Sequence, residues 1–564
     1  MPDHFPSEAI RPPHWAALIT IPWDLFLLAL AVALLWILST GGGVYHLAGQ
    51  RVSIHHVDKL MPAWLLLLWL RWRFTGNCPV GGLGNTTPQQ LVLTLHRSLP
   101  NAREQLGRQR PLMVLSVLMI LALMLRLALA IKHPGFLTGD DVEVHHMSLN
   151  RLWDRPDSAW DLRNSFYPLV FIMPAQWLAG NDPGLAVLAG RLVVALYGAL
   201  SVLLLALAAK RLKTNLAVVF VAAGLLAIAK LTVVYGSSVM PRGVSIAWVL
   251  LAFWTLNRND RRGTVLAALA LAVATSLRFS EIIFLVPAVI QLMIERRWRH
   301  LIWLGVFWAL GCAVILGLSD WLYWGRPFSS LIAIVRYTLI EGSSSRGFQP
   351  VWHYLTGLAG WTSLAMVILV VVGWRRERWR PYLWLMAPLI LLSCLPHKEA
   401  RYLLPCVPFL CLGAAYGIDD LLRQATPRRM AWLAPLLLAT VVLEVDGYHH
   451  DRTDSAVHLA RHIAAERGPD DGVLFEWGWR AGGWIYFEDV DNLETPDLLE
   501  HAKRDSVVAK ISTEGLTWLA LWSGTLDRKQ LGPDLAERGF KEVEPPDGAA
   551  WGGYRLWRLE TNTD

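Results

Sequence analysis

About a dozen apolar runs, each close to the length that crosses a bilayer, leave this chain few ways to fold. A spanning helix needs about 20 predominantly apolar residues, because nothing in the hydrocarbon can hydrogen-bond an exposed backbone. Composition agrees: 54% of the 564 residues are apolar and only 17% are charged. A soluble chain of ordinary make-up is about one quarter charged. The sequence therefore predicts an all-α polytopic membrane protein with roughly 11–13 transmembrane helices.

Orientation follows from the short basic loops. KRLK at 210–213, NRNDRR at 257–262, ERRWRH at 295–300 and WRRERWR at 374–380 all separate apolar runs. Positive residues in short loops mark the cytoplasmic side. Placing them there sends the spans 111–131, 186–209, 215–235, 238–256, 263–277, 280–294, 301–319, 357–373, 381–395, 402–418 and 430–446 back and forth without conflict. The stretch 166–180, interrupted by Pro168, Pro174 and Gln176, reads as a helix on or partly in the membrane surface. Two large loops, 132–185 and 320–356, then lie outside.

The runs before this core, 25–45 and 60–70, suggest an N-terminal extension (1–110) with one or two extra spans. After residue 446 the pattern changes. Short strand-like runs at 471–479, 505–511 and 554–560 alternate with polar stretches such as 455–467, which reads as a small extracytoplasmic α/β domain over 447–564. Residues 447–564 hold 22 acids against 13 Lys or Arg, net −9, leaving +16 of the whole-chain +7 to the first 446. That excess belongs to the inner loops, so the charge argues for a membrane and against nucleic acid. Cys78, Cys312, Cys394, Cys406 and Cys411 show no metal-ligand spacing, and no cleavage pattern follows the first long apolar run.

Chemistry has to come from polar residues at the outer mouth. The stretch from Gly139 to Arg163 carries Asp140, Asp141, Glu143 and Asp161 beside Arg163. An adjacent pair of acids can hold a divalent cation, accept a proton, or simply cap a solvated turn. A second cluster, PHKEAR at 396–401, offers His397, Lys398 and Arg401 as the cationic side of a phosphate clamp, with Glu399 to hold one of them. Snorkelling toward headgroups is the plainer reading of the same residues. Arg242 and Arg278 are isolated on the outer side, and Glu281 is close enough in sequence to neutralise Arg278. The loop after 320 mixes Asp320, Tyr323, Gly325, Arg346, Trp352 and His353, which suits sugar stacking and an interfacial belt equally.

Together these motifs resemble the polyprenyl-phosphate-sugar-dependent glycosyltransferases of the GT-C fold. Within them the chain is most similar to the mannosyltransferases that extend lipid-linked oligosaccharides and GPI anchors. The resemblance runs over about 111–446 and rests on Asp140-Asp141, on Trp160-Asp161 followed by Arg163, Ser165 and Pro168, on Asp320, Tyr323 and Gly325 with PVWHYL at 350–355, and above all on PHKEARYLLPCVP at 396–408. It departs at His133-Pro134, set five residues before Gly139, and at Arg278-Phe279-Ser280.

The resemblance implies an inverting transferase. It would move a sugar, mannose first, from a polyprenyl-phosphate donor to a hydroxyl of a glycan or glycolipid outside the membrane. Asp140 would be the general base, with Asp141 and Asp161 orienting the acceptor or the base. His397, Lys398, Arg401 and Arg278 would meet the leaving phosphate. Glu143, Arg163, Tyr323, Arg346, Trp352 and His353 would contact acceptor or sugar. No cofactor is required, although Asp140 and Asp141 leave a divalent cation open. Another lipid-phosphate sugar (glucose, aminoarabinose), a protein hydroxyl acceptor, or a non-enzymatic transporter are the competing readings. The expected place is a bacterial inner membrane with the C-terminal domain in the periplasm, or else the endoplasmic reticulum membrane facing the lumen.

Overall fold

The computed structural model describes residues 43–47, 50–54, 111–154, 163–337, 349–423, 440–442, 444–445, 448, 453–468, 471–476, 478, 485–487, 503–513, 515–545 and 551–560. The candidates Asp161 and Arg346, and most of the expected spans 25–45, 60–70 and 430–446, fall outside these residues. The last three residues of the run 25–45 are a strand, β1 (Gly43–Leu47), paired antiparallel with β2 (Gln50–Ile54).

The core is a bundle of helices whose apolar blocks match the predicted runs. In chain order it contains α1 (Pro111–Lys132), α2 (Gly139–Leu152), a π-helix (Tyr167–Ile172) continued by α3 (Met173–Leu178), α4 (Pro183–Arg211), α5 (Leu216–Ile228), α6 (Lys230–Gly236), α7 (Pro241–Leu256) and α8 (Arg261–Leu277). A 3-10 turn (Phe279–Phe284) leads to α9 (Leu285–Ile294), followed by α10 (Trp298–Trp324), α11 (Ser329–Arg336), α12 (His353–Trp361), α13 (Leu364–Val372) and α14 (Trp379–Cys394). A second 3-10 turn (Ala400–Cys406) runs into α15 (Val407–Arg423). Among the described residues, α1, α4, α10 and the 24-residue unit Ala400–Arg423 are each long and apolar enough to cross a membrane. The chain is a multi-spanning, largely helical membrane protein.

Two predicted spans are broken. The run read as 215–235 becomes α5 and α6, bent by 50°. A break in an apolar bundle strands backbone groups, and each needs a partner. Here the buried Arg126 of α1 donates to the Ala227 carbonyl (3.2 Å) and the Thr232 hydroxyl (3.0 Å), while Tyr448 donates to Ile228 O (2.7 Å). The buried Glu444 carboxylate accepts from Lys230 N (2.6 Å) and from Ser363 N (2.7 Å), so one acid serves the start of α6 and the junction of α12 with α13. That junction is why the run 357–373 is two helices.

The basic loops converge on one face, as their charge pattern predicts. Arg211 donates to the Asn257 carbonyl (3.1 Å), Arg380 pairs with Glu295 (2.8 Å) and Arg378 with Asp420 (2.8 Å). The acidic helix α2, Arg163, Arg278 and Arg401 meet one another at the other end of the helices.

The C-terminal domain is a four-stranded sheet of order β3-β4-β6-β5: β3 (Gly472–Phe475), β4 (Leu516–Trp522), β5 (Phe540–Val543) and β6 (Tyr554–Leu559). β3 and β4 are parallel and the other pairs antiparallel. Helices α16 (Asp454–Glu466), α17 (Arg504–Thr513), α18 (Ser523–Lys529) and α19 (Leu531–Glu537) accompany it. The run 505–511, expected as a strand, is helical. Its buried residues Val507 and Ile511 are four apart, a helical spacing, and β4 occupies the strand position instead.

This domain is bound to the approach to α2. Asp454 accepts from Gly135 N (2.6 Å) and contacts His133 Nδ1 (2.7 Å), and Thr453 Oγ1 accepts from Phe136 N (2.9 Å). A Cβ at Gly135 would lie 2.2 Å from Asp454 N, so only glycine admits this approach. Behind it, the buried Arg191 of α4 donates to the carbonyls of Ala130, His133, Pro134 and Gly135. The His-Pro step that departs from the family motif is thus where the outer domain grips the segment leading into the site.

Candidate active site

α2 begins after Thr138, and its first turn carries Asp140 and Asp141, where acids favour the positive end of the helix dipole. Adjacent residues on a helix point about 100° apart, and the two acids go separate ways. Asp140 faces a cavity of about 670 Å³ at the outer mouth. Asp141 is fully buried and does not line that cavity; its Oδ1 accepts from Val239 N (3.0 Å) and its Oδ2 from Leu137 N (3.2 Å). Asp141, expected as a catalytic partner of Asp140 or as half of a cation pair with it, is placed with its carboxylate on these backbone amides. Asn keeps one acceptor oxygen but turns an NH2 toward the other backbone N–H, so Asp141→Asn should lower unfolding stability by about 1–3 kcal/mol, read by thermal unfolding in detergent.

Three arginines from distant parts of the chain close on Asp140. Arg163 Nη2 lies 2.5 Å from Oδ1, and Arg278 Nη1 and Arg401 Nη1 lie 3.0 and 2.8 Å from Oδ2. Burial raises a carboxyl's pKa, but the field of Arg278, Arg163, Arg401 and Arg242 outweighs it here and holds Asp140 well below the usual carboxylate range. Arg163 also pairs with Glu143, one turn further along the same face of α2. For Glu143 burial outweighs its arginine neighbour, and its pKa is raised.

The remaining candidates divide. His397 lines the cavity and hydrogen-bonds Glu399 (2.9 Å). Lys398 does not line it, because its ammonium is taken by the carbonyls of Gln349 (2.8 Å) and Leu395. Arg401 pairs with Asp140, Glu399 and the Thr138 hydroxyl from behind the lining. Glu281, expected against Arg278, pairs with Arg242 (3.2 Å), which frees Arg278 for Asp140. Tyr323, Trp352 and His353 do not reach the cavity; Tyr323 packs edge-on to Trp324, and His353 packs on Trp361 at 5.3 Å. Asp320 accepts from Ser330 N (2.9 Å) and its hydroxyl (2.6 Å), fixing the start of α11, and Gly325 ends α10 with φ of 70°. Among the described residues of that later motif, Asp320 and Gly325 shape the turn from α10 into α11.

Sequence reasoning assigned no role to Arg242, Asn164, Tyr167, Ser280 or Tyr402, all of which line the cavity. Arg242 stacks over Tyr402 at 4.1 Å and reaches Ser280 (2.9 Å). The sequence marks it only as an isolated arginine on an outer face where arginine is scarce. The cavity's far wall is apolar and follows α10 through Trp308, Cys312 and Leu316. Among the described residues no group of three or more His, Cys, Asp or Glu is placed to hold a metal.

An arginine-lined mouth thus stands beside an apolar wall in one cavity of the helical bundle. Residues 157–454 match the Alg9-like mannosyltransferase family, and the chain belongs to that family. The matched segment contains Arg163, Arg278 and Arg401 but begins after α2. Alpha-1,2-mannosyltransferase ALG9 of Arabidopsis thaliana is 26% identical over 281 residues, 47% of this chain and 48% of that protein. An undecaprenyl phosphate-alpha-4-amino-4-deoxy-L-arabinose arabinosyl transferase of Pseudomonas fluorescens is 29% identical over 224 residues, 35% of this chain and 39% of that protein. The chain thus spans about half, or less, of the length of these curated relatives. In structure it resembles ArnT from Cupriavidus metallidurans bound to undecaprenyl phosphate, with a TM-score of 0.54 at 14% identity over 78% of this chain and 97% of that one.

Proposed function

We propose that this protein transfers a sugar from a polyprenyl-phosphate donor to a hydroxyl acceptor at the outer face of its membrane. One observation carries the reading: cavity arginines Arg163, Arg242 and Arg278 sit at the polar end of an apolar wall formed with α10. The lipid tail follows that wall and the phosphate meets the guanidiniums. As the bond from the anomeric carbon to the phosphate oxygen breaks, charge grows on the phosphate, and fixed arginines stabilise it more strongly there than in the ground state. His397 adds a donor beside them, while Arg401 holds Asp140 and so sets the positions of the other two guanidiniums. With that countercharge no divalent cation is needed, and transfer proceeds in EDTA. Mannose is one donor sugar to offer, on the strength of the family match and the Arabidopsis relative. The Pseudomonas relative and the ArnT fold make 4-amino-4-deoxy-arabinose the second sugar to offer, with a glycan, glycolipid or protein hydroxyl as acceptor. A bacterial inner membrane, with the C-terminal domain in the periplasm, suits the charge pattern of the loops.

The lipid route has a built-in probe. Cys312 lies half-buried in the cavity wall, Cys394 is exposed, and Cys406 and Cys411 are buried. In a Cys78→Ser, Cys394→Ser background, undecaprenyl phosphate should slow maleimide labelling of Cys312 about tenfold. Unchanged labelling at saturating lipid would rule out this wall as the route. Transfer is then assayed in nanodiscs from radiolabelled polyprenyl-phosphate mannose and its aminoarabinose counterpart to a cell lipid extract. Lipid protection without transfer of any sugar would support a transporter instead.

A further inference from the structure

We infer that the C-terminal domain is a working part of the site, and that its Thr453 and Asp454 are positioning residues for Asp140. The inference rests on the transferase reading above, in which Asp140 is the acid that meets the acceptor hydroxyl. α2 stands between the cavity and the outer domain. At about 100° per residue, the cavity-lining Asp140, Glu143, Val144 and Met147 fall on one face of α2, and Val142 and Leu149 fall on the opposite one. Val142 and Leu149 are buried in an apolar cluster with Phe136, with Ala186 and Val187 of α4, and with Val457 and Ile485 of the outer domain. The helix that carries the acid therefore rests its back on that domain.

The backbone just before α2 is clamped from both sides. Asp454 accepts from Gly135 N (2.6 Å) and meets His133 (2.7 Å). Thr453 accepts from Phe136 N on its hydroxyl (2.9 Å) and donates its own N–H to Phe136 O (3.2 Å). Arg191 holds the carbonyls of His133, Pro134 and Gly135 from the bundle side. Only Leu137, Thr138 and Gly139 separate this clamp from Asp140. Hydrogen bonds cross that interval: Leu137 N donates to Asp141 Oδ2 (3.2 Å), and Asp141 N to Thr138 O (3.1 Å). A shift at Gly135 or Phe136 therefore reaches Asp140 with little slack to absorb it. The guanidiniums answer to other elements, Arg242 to α7, Arg278 to the turn after α8 and Arg401 to the turn before α15. Loosening the clamp moves the acid out of register with the acceptor. It leaves the phosphate's partners in place, since the carboxylate keeps the charge that gathers them.

The test compares Asp454→Ala, Thr453→Val and Thr453→Ser with wild type in nanodiscs. It reads kcat, donor KM, Cys312 protection by undecaprenyl phosphate, and hydrogen exchange across residues 133–140. Asp454→Ala should cost about 10²-fold in kcat and Thr453→Val about tenfold, because misplacement by about 1 Å costs about 10²-fold. Donor KM and lipid protection should stay at wild-type values. Exchange across 133–140 should quicken in both variants, while β4 in the core of the outer domain keeps its protection. Thr453→Ser, which retains the hydroxyl that accepts from Phe136 N, should restore kcat. Arg555→Ala, which breaks an exposed ion pair with Glu542 elsewhere on the domain, should change none of these readings. Wild-type kcat in Asp454→Ala would overturn the inference. So would loss of lipid protection in step with kcat, which would make the domain a support for the whole bundle. Should Asp454→Ala lose protection in β4 as well, the Thr453 pair decides, and equal kcat in Thr453→Val and Thr453→Ser overturns the inference. Absence of transfer by the wild type from every lipid-phosphate sugar would overturn the parent reading, and this one with it. Transfer by the wild type with an indifferent Asp454→Ala would overturn this inference alone.

Discussion

Asp140→Asn is expected to destabilise the protein by roughly 3–5 kcal/mol, to lower transfer by about 10²-fold or more, and to make the variant gain more stability from lipid phosphate than the wild type does. The first effect follows from what the carboxylate neutralises. Removing one partner of a buried ion cluster leaves charge uncompensated, and here Arg278 would lose the carboxylate it pairs with, while Glu143 and Glu399 alone would face Arg163 and Arg401, at a site only 9% exposed at Asp140. The second follows because those guanidiniums would spread apart, and misplacement by about 1 Å costs about 10²-fold. The third distinguishes an arginine cage built for an anion from a merely structural knot. If lipid phosphate occupies the same guanidiniums, it replaces the missing charge, so the thermal shift on adding undecaprenyl phosphate should be larger in the variant. An equal or smaller shift would put the phosphate elsewhere. The pH dependence has a definite sign. Asp140 is held below its ordinary value of 3.8, so its contribution is complete above that value and is lost only as pH falls through the lower folded one. The destabilisation of Asp140→Asn should therefore be constant from pH 5 to 8.

How far the site could be read from sequence depends on whether a residue's partner is local. Asp140, Glu143, Arg163, Arg278 and Arg401 were all recognisable as charges at an outer mouth. Their mutual contacts were not, because Asp140 is 138 residues from Arg278 and its pairing with Arg401 crosses most of the bundle. Local reasoning gave Glu281 to Arg278; the fold gives it to Arg242, 39 residues away. The same limit explains Lys398, which a phosphate-clamp pattern places in the cavity but which the carbonyls of Gln349 and Leu395 hold outside it. Spans were legible because hydrophobic length is a local property. Breaks within them were not, since α5 and α6 part only where Arg126, Glu444 and Tyr448 bring polar groups from other elements. A run such as 505–511 is ambiguous for another reason: short apolar stretches fit either period, and burial of Val507 and Ile511 decides for the helix.

A second large effect on folding is expected at a glycine that no catalytic argument would select. α15 carries Gly413-Ala-Ala-Tyr-Gly417, a small-xxx-small pattern that lets helix backbones approach closely inside a membrane. The approach is to α13: a Cβ on Gly417 would fall 2.0 Å from Leu369 O, and one on Gly373 would fall 2.4 Å from Gly413 O. Backbone atoms cannot swing aside as a flexible side chain does, so relief requires the helices to separate. Overpacking of a well-filled core typically costs 1–3 kcal/mol, and a clash against backbone should reach at least about 3 kcal/mol. Gly417→Val should therefore depress the unfolding temperature strongly and reduce the yield of monodisperse protein, whereas Gly305→Val, on α10 with nothing within 4 Å, should do neither. The consequence extends to the site, because the 3-10 turn that opens this same span carries Arg401. Separation of α15 from α13 shifts Arg401 relative to Asp140. Any Gly417→Val protein that survives purification should then show weakened lipid protection of Cys312, and unaltered protection would mean that the arginine cage is held independently of this helix crossing.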